Sequence, residues 1–296
     1  MVPLPAVRDN AAMQTEPPKA DPPKRKRRWL QFSLRSLMIF TLIVGIGMAT
    51  WIVPLKKSAE KQKAAVEAIK SDSGYVNYDY EVDSSGNGIT AAEPPGPAWL
   101  RRLLGDDFFT TVVGVGVNTP ADMKYLGELS QLRSVGAYGV PLADADLEGV
   151  RRLSQLKDLN LSLTDVTDAG LKNLAGLSQL EDLQLSITRV TDLGLKQLKG
   201  LTQLKSLNLN DTRITDAGLE SLSGLSRLQE LTLSYTKLTD AGLDHLIGLT
   251  KLRELHLEGT NVTGAGAKAL QKSLPNCTIS FSPAKAPTIE PPHGAR

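Results

Sequence analysis

Cysteine is nearly absent from this 296-residue chain. The single Cys277 excludes any disulfide within the chain and any cysteine-rich zinc site, and it leaves the redox compartment open. Aromatic residues are few as well, at 5 %, although 41 % of the chain is hydrophobic. Leucine must therefore supply most of the core. No strong charge excess is present, because 34 Lys/Arg face 32 Asp/Glu for a formal net charge of +2. That balance hides an asymmetry, since residues 1 to 35 carry eight Lys/Arg against three Asp/Glu. A short basic cluster beside an apolar run reads as a topology signal or a contact with anionic lipid, not as a nucleic-acid site. Catalytic signatures are lacking too. There is no G-x-x-x-x-G-K-[ST] phosphate loop and no set of nucleophile, base and orienting group, so no enzymatic activity and no cofactor are expected.

Long apolar runs are scarce, with one exception. Residues 1 to 23 are rich in Pro and Ala without any apolar period, and they and the basic stretch that follows, through Arg28, read as a disordered tail. After Lys24-Arg25-Lys26-Arg27-Arg28 comes a segment, 29–55, whose stretch from Leu37 to Val53 holds 17 residues without a charge. As a helix those residues span about 25 Å, against a bilayer hydrocarbon thickness of about 30 Å. Trp29 and Trp51 at the interfaces and a snorkelling Arg35 extend the reach. An uncleaved signal-anchor is the favoured reading over a cleaved signal peptide or a buried helix, because Met48-Ala49-Thr50-Trp51 is a poor cleavage site. Seven basic residues before the run against five after it favour a cytoplasmic N-terminus, and so an inner-membrane, single-pass protein with the remainder on the outer side.

Residues 56–97 form a juxtamembrane region. KKSAEKQKAAVEAIK is a good helix former with apolar residues at Ala64, Ala65, Ala68 and Ile69, and Gly74 is expected to end the helix. Tyr75 to Tyr80 alternates like a strand, and Asp83 to Pro97 is a Gly/Pro-rich loop. These elements either close the end of the following domain or serve as a flexible stalk.

The dominant feature begins near Phe108. A 24-residue period gives strong starts at Leu156, Leu180, Leu204, Leu228 and Leu252, with weaker copies at Leu132 and Phe108. Each strong copy opens L-x-x-L-x-L, continues through a threonine (Thr164, Thr188, Thr212, Thr236, Thr260), and reaches T-D-A-G-L or a variant. Two periods coexist within a unit. Leu183 and Leu185 are two apart and share one strand face, whereas Leu195, Leu198 and Leu201 recur every three residues, the stripe of a short helix or 3₁₀ segment. The threonine before each aspartate can cap that helix, and Asp168, Asp192, Asp216 and Asp240 sit in the first turn where the dipole favours an anion. One such unit cannot bury its own leucines, so units must stack. About seven of them put a parallel sheet on one side and short helices on the other. The threonine at repeat position nine is expected to bond the neighbouring turn's backbone. The copy from Leu252 degrades, with Gly264 for Asp, and reads as a closing unit with Cys277 to Phe281 as its last strand. The tail 283–296 returns to Pro-rich, disordered composition.

The pattern LxxLxLxxTxVTDAGLxxLxGL resembles the leucine-rich-repeat family, in the subtype of F-box-associated and many bacterial repeats. The resemblance runs over about 108 to 282, within an expected repeat domain at 98–282. It implies an α/β solenoid, a horseshoe with the parallel sheet on its concave side and short helices on its convex side, here joined to one N-terminal transmembrane helix. No F-box-like helical segment precedes the repeats, so a ubiquitin-ligase adaptor role does not carry over. The order of basic patch, F-S-L-R-S-L, apolar span, basic helix, G-Y-V-x-Y-D-Y and P-A-W-L-R-R-L-L-G-D-D-F-F also resembles single-span bacterial envelope proteins ending in such repeats. That likeness implies a non-catalytic protein-interaction scaffold, the alternative being a structural envelope spacer that mainly associates with itself.

Residues between the strand leucines form the candidate binding face: Tyr138, Asp158, Asn160, Asp182, Gln184, Asn208, Asn210, Glu230, Thr232, Tyr235, Glu254, His256 and Glu258. This face is polar and mildly acidic with few aromatic anchors, so the expected partner is a basic or polar protein surface or a glycan, with a homo-oligomer as the other possibility. Glu254, His256 and Glu258 alternate on one strand. Residues two apart in a strand are about 6.6 Å from each other, too far for three ligands to close on one zinc, so no metal is expected.

Overall fold

The computed structural model describes residues 34–83, 88–89 and 92–282. The tails read as disordered, the basic cluster, part of the 83–97 loop and the interfacial side chains of Trp29, Arg35 and Trp51 lie outside them. The chain divides into two compact units, 1–50 and 51–296, and a helix α1 (Leu34–Ser71) crosses the boundary in sequence. The expected membrane span is not found: among the described residues no helix is long and apolar enough to cross a membrane. The charge-free run occupies less than half of α1, whose remainder carries the charges of KKSAEKQK, and many side chains of the run fall outside the described set.

Among the described residues of the second unit, nine strands form one sheet in chain order. They are β1 (Tyr75–Tyr78), β2 (Val112–Gly116), β3 (Ser134–Gly136), β4 (Asp158–Asn160), β5 (Asp182–Gln184), β6 (Ser206–Asn208), β7 (Glu230–Thr232), β8 (Glu254–His256) and β9 (Thr278–Ser280). From β2 to β9 every pairing is parallel; the offset is 20 residues between β2 and β3, as in Gly114↔Ser134, and 24 in every later pair, as in Asp158↔Asp182 and Leu159↔Leu183. Only β1 runs antiparallel, against β2. It belongs to no repeat, and it shields the first parallel strand's edge.

The core is a stack of leucine layers. Leu180, Leu183, Leu185, Leu195, Leu198 and Leu201 are all fully buried, and the same positions are buried in the following unit. At the N-terminal end Ala65, Val66 and Ile69 of α1 join this core. The buried face of that helix is thus centred on Val66, and Ala64, expected there, is exposed. Ser73, at φ 65°, turns the chain after α1. Gly74 follows because its backbone lies where a Cβ would meet Ile69 Cγ2 at 2.6 Å and the Gly116 carbonyl at 2.8 Å.

One sequence expectation about polar residues is corrected and another is extended. The position-nine threonines do not bridge neighbouring turns. Thr164, Thr188, Thr212, Thr236 and Thr260 each donate to the carbonyl three residues earlier, as in Thr212 Oγ1 to Leu209 O at 2.7 Å. A hydroxyl on Cβ reaches its own turn at that spacing, while backbone pairs such as Leu185 N–H to Asn208 O (2.9 Å) already join the turns.

The first-turn aspartates do more than sit at a dipole. Each carboxylate reaches the threonine of the next unit: Asp192 accepts from the Thr215 amide at 2.8 Å and its hydroxyl at 2.6 Å. The same bidentate link joins Asp144 to Thr167, Asp168 to Thr191, Asp216 to Thr239 and Asp240 to Thr263. In Thr167, Thr191, Thr239 and Thr263 the hydroxyl also accepts from its own helix's N–H groups, so it caps while it donates. The glycine of T-D-x-G completes the device. A Cβ at Gly194, Gly218 or Gly242 would collide with the incoming carboxylate of Asp168, Asp192 or Asp216. Gly264 replaces the aspartate in the last unit, where no further threonine waits, and a longer helix (Gly264–Ser273) closes the stack.

Candidate interaction surface

The sheet's outward side chains come in rows because every strand is in register. One row runs through Ser134, Asp158, Asp182, Ser206, Glu230 and Glu254, and the next through Gly136, Asn160, Gln184, Asn208, Thr232 and His256. Sequence reasoning stopped at these alternating positions and missed the residue just before each strand. There Arg133, Lys157, Glu181, Lys205 and Arg253 add a mainly basic row. Glu181 pairs with Lys157 at 3.1 Å and with Lys205. Those hydrogen bonds, Lys205's first, hold its carboxyl below the usual range. The face is therefore striped in charge, and the mildly acidic reading described one stripe of it.

At the N-terminal end the stripes border a concavity of about 530 Å³ lined by residues including Asn77, Arg133, Lys157, Asp158, Glu181 and Lys205. Shielding from water there raises the Asp158 carboxyl above its ordinary value, and Asp182 and Glu181 push it further the same way. A basic group docking at this end would relieve that cost.

Part of the expected face is consumed internally. Thr232 is buried and donates to Asn208 Oδ1 at 2.7 Å, so it is withdrawn from the candidate contacts. Asn160 and Asn208 accept from the amides two residues on, both at 3.0 Å, and Asn210 accepts from the Ser234 amide at 2.8 Å. Gln184 donates to Asp182 at 2.9 Å. What remains freely presented is Tyr138, Asp158, Glu230, Tyr235 and Glu254, with His256 and Glu258 half-buried beside them. Tyr235 lies in the turn after β7, at φ 60°. The same turn position holds Gly139, Leu163, Ile187, Asp211 and Gly259, all with positive φ, a conformation costly for the side-chain-bearing members.

Comparison with known proteins bears on these rows. Residues 202–262 and 153–175 match two models of the leucine-rich repeat. These are leucine-rich repeats. Among solved structures, the chain is similar to an internalin of Listeria monocytogenes at 29 % identity, over 52 % of this chain and 42 % of that one, with a TM-score of 0.46. It spans less than half of that internalin. It is also similar to internalin C2 of the same organism at 22 % identity, over 74 % and 92 % of the two chains with a TM-score of 0.49. A leucine-rich-repeat protein of Leptospira interrogans follows at 21 % identity, over 53 % and 45 %, with a TM-score of 0.41. No curated protein matches the sequence.

The leucine-rich-repeat scaffold fits a protein-interaction role. Its one cysteine, Cys277, is buried, and burial first and Glu254 second push its thiol up to about 11.

Proposed function

We propose that the chain is a non-catalytic, membrane-anchored scaffold whose sheet face binds a protein surface rich in basic and polar groups. The observation that carries this reading is where the units differ from each other. Inward positions are leucine or another aliphatic in unit after unit, while outward ones change from Ser134 to Asp158, Asp182, Ser206, Glu230 and Glu254 along a single row. Such side chains contribute little to the core, so their pattern is available for recognition. Charge stripes favour a partner chosen by electrostatic complementarity, which sets specificity and association rate. A polyhydroxylated glycan is the second ligand class for the same Asn and Asp row.

Anchoring rests on the sequence alone, on the charge-free run from Leu37 to Val53, many of whose side chains lie outside the described residues, and on its basic flank, with the N-terminus cytoplasmic and the repeats outside the inner membrane. Engineered surface cysteines in the repeats, treated on intact cells with an impermeant maleimide, test this. Buried Cys277 contributes no background. Labelling without lysis supports the topology, and labelling only after lysis overturns it. For recognition, the partner captured by the wild-type chain must be lost from the Asp158→Asn, Asp182→Asn, Glu230→Gln triple variant. Self-association with no other ligand favours the spacer role instead.

A further inference from the structure

We infer that Glu230, Glu254 and His256 form a site for a divalent transition-metal ion of the zinc class on the sheet face. The single-strand trio Glu254, His256 and Glu258 was too widely spaced to ligate one ion. The fold brings the missing donor from the neighbouring strand, because Glu230 on β7 is the register partner of Glu254 on β8. One ligand atom from each of Glu230, Glu254 and His256 lies within 4.8 Å of the other two. Tetrahedral zinc with bonds of about 2.1 Å holds its ligands about 3.4 Å apart. Both glutamates are exposed, so rotation of their side chains supplies the contraction of at most about 1.4 Å that closes the site.

Two further observations point to a cation. Directly opposed like charges on paired strands are destabilising, and a cation held between the two carboxylates would relieve that repulsion. Glu181 is held by Lys157 and Lys205, whereas among the described residues no lysine or arginine pairs with Glu230 or Glu254. Gln229 stands where those lysines would, and Arg253 makes no ion pair with its neighbour. The histidine is also oriented as a ligand. Its Nε2 faces Glu254 at 3.8 Å while its Nδ1 faces Glu258 at 3.7 Å, and Glu258 is in turn held by Ser234 Oγ at 2.5 Å. At 3.7 Å that carboxylate is within a short side-chain movement of hydrogen-bonding the distal ring nitrogen, the contact that orients a metal-binding imidazole and raises its basicity. One nitrogen and two carboxylate donors suit zinc or a neighbouring transition metal better than calcium or magnesium, which prefer oxygen throughout.

The site is independent of any partner and is tested with metal alone. Zinc chloride is titrated calorimetrically into the full chain in detergent and non-chelating buffer. One equivalent is expected to bind, with affinity falling at least tenfold in each of Glu230→Gln, Glu254→Gln and His256→Gln. Glu258→Gln, which faces the imidazole and Ser234 but lies outside the proposed ligand set, is expected to weaken binding by about tenfold. Asp158→Asn and His245→Gln should leave it unchanged, and unaltered circular dichroism establishes that each variant folds. Absence of zinc binding, or binding whose affinity survives His256→Gln, overturns the site.

Discussion

The helix side and the sheet side of each unit are cut from the same 24 residues, yet they spend their polar groups differently. On the helix side the polar residues of T-D-x-G are committed: threonine donates and, at Thr167, Thr191, Thr239 and Thr263, also caps, aspartate crosses to the next unit, and glycine leaves room for the carboxylate arriving from the previous one. On the sheet side Asp158, Glu230 and Glu254 remain exposed and differ from unit to unit. The contrast teaches that repetition marks residues that hold units together, and departure from repetition marks residues free to recognise something.

Substitutions on the helix side should break the fold in graded steps. Gly218→Val places a branched side chain against the Asp192 carboxylate and Ile214, and should cost about 3 kcal/mol in urea unfolding. Asp192→Ala leaves the Thr215 amide and hydroxyl without their acceptor, for a loss of about 2 kcal/mol by the same measurement. Thr212→Val removes one hydroxyl bond within a turn and should cost about 1 kcal/mol. Ile187→Gly should act in the opposite direction. The β-branched Ile187 is held at φ 55°, so relieving it is expected to raise stability by about 1 kcal/mol.

A smaller, pH-linked effect sharpens the comparison. Hydrogen bonds from Thr263, side chain first and backbone second, lower the Asp240 carboxyl below its ordinary 3.8. A lowered folded-state value means that this link stabilises fully above the ordinary value and fades as pH falls through the lower one. Asp240→Asn should therefore flatten the acid limb of the stability profile below about pH 4.

Much of the scaffold was legible in the sequence because two periodicities, two and about three, sit in one 24-residue repeat. Leu183 with Leu185, and Leu195 with Leu198 and Leu201, assign strand and helix without further help. Links between units were not legible in the same way. Asp192 in a first helical turn has a sufficient local explanation in the dipole, and nothing within its own unit announces Thr215, 23 residues on. The binding face was read in part. Alternation found Asp158 and Glu254 but passed over Lys157 and Lys205, which precede the strands, and it retained Thr232, whose bond to Asn208 needs the adjacent strand. Pairing Glu230 with Glu254 likewise becomes visible only when register is known.

The division of labour between the two sides is tested most directly by urea unfolding of the Asp158→Asn, Asp182→Asn, Glu230→Gln triple variant beside Asp192→Ala. If the sheet side is free for recognition, the three face substitutions together should change stability by less than about 1 kcal/mol while the single helix-side change costs about 2 kcal/mol. Equal losses in the two variants would contradict the account, because the face would then be holding the fold.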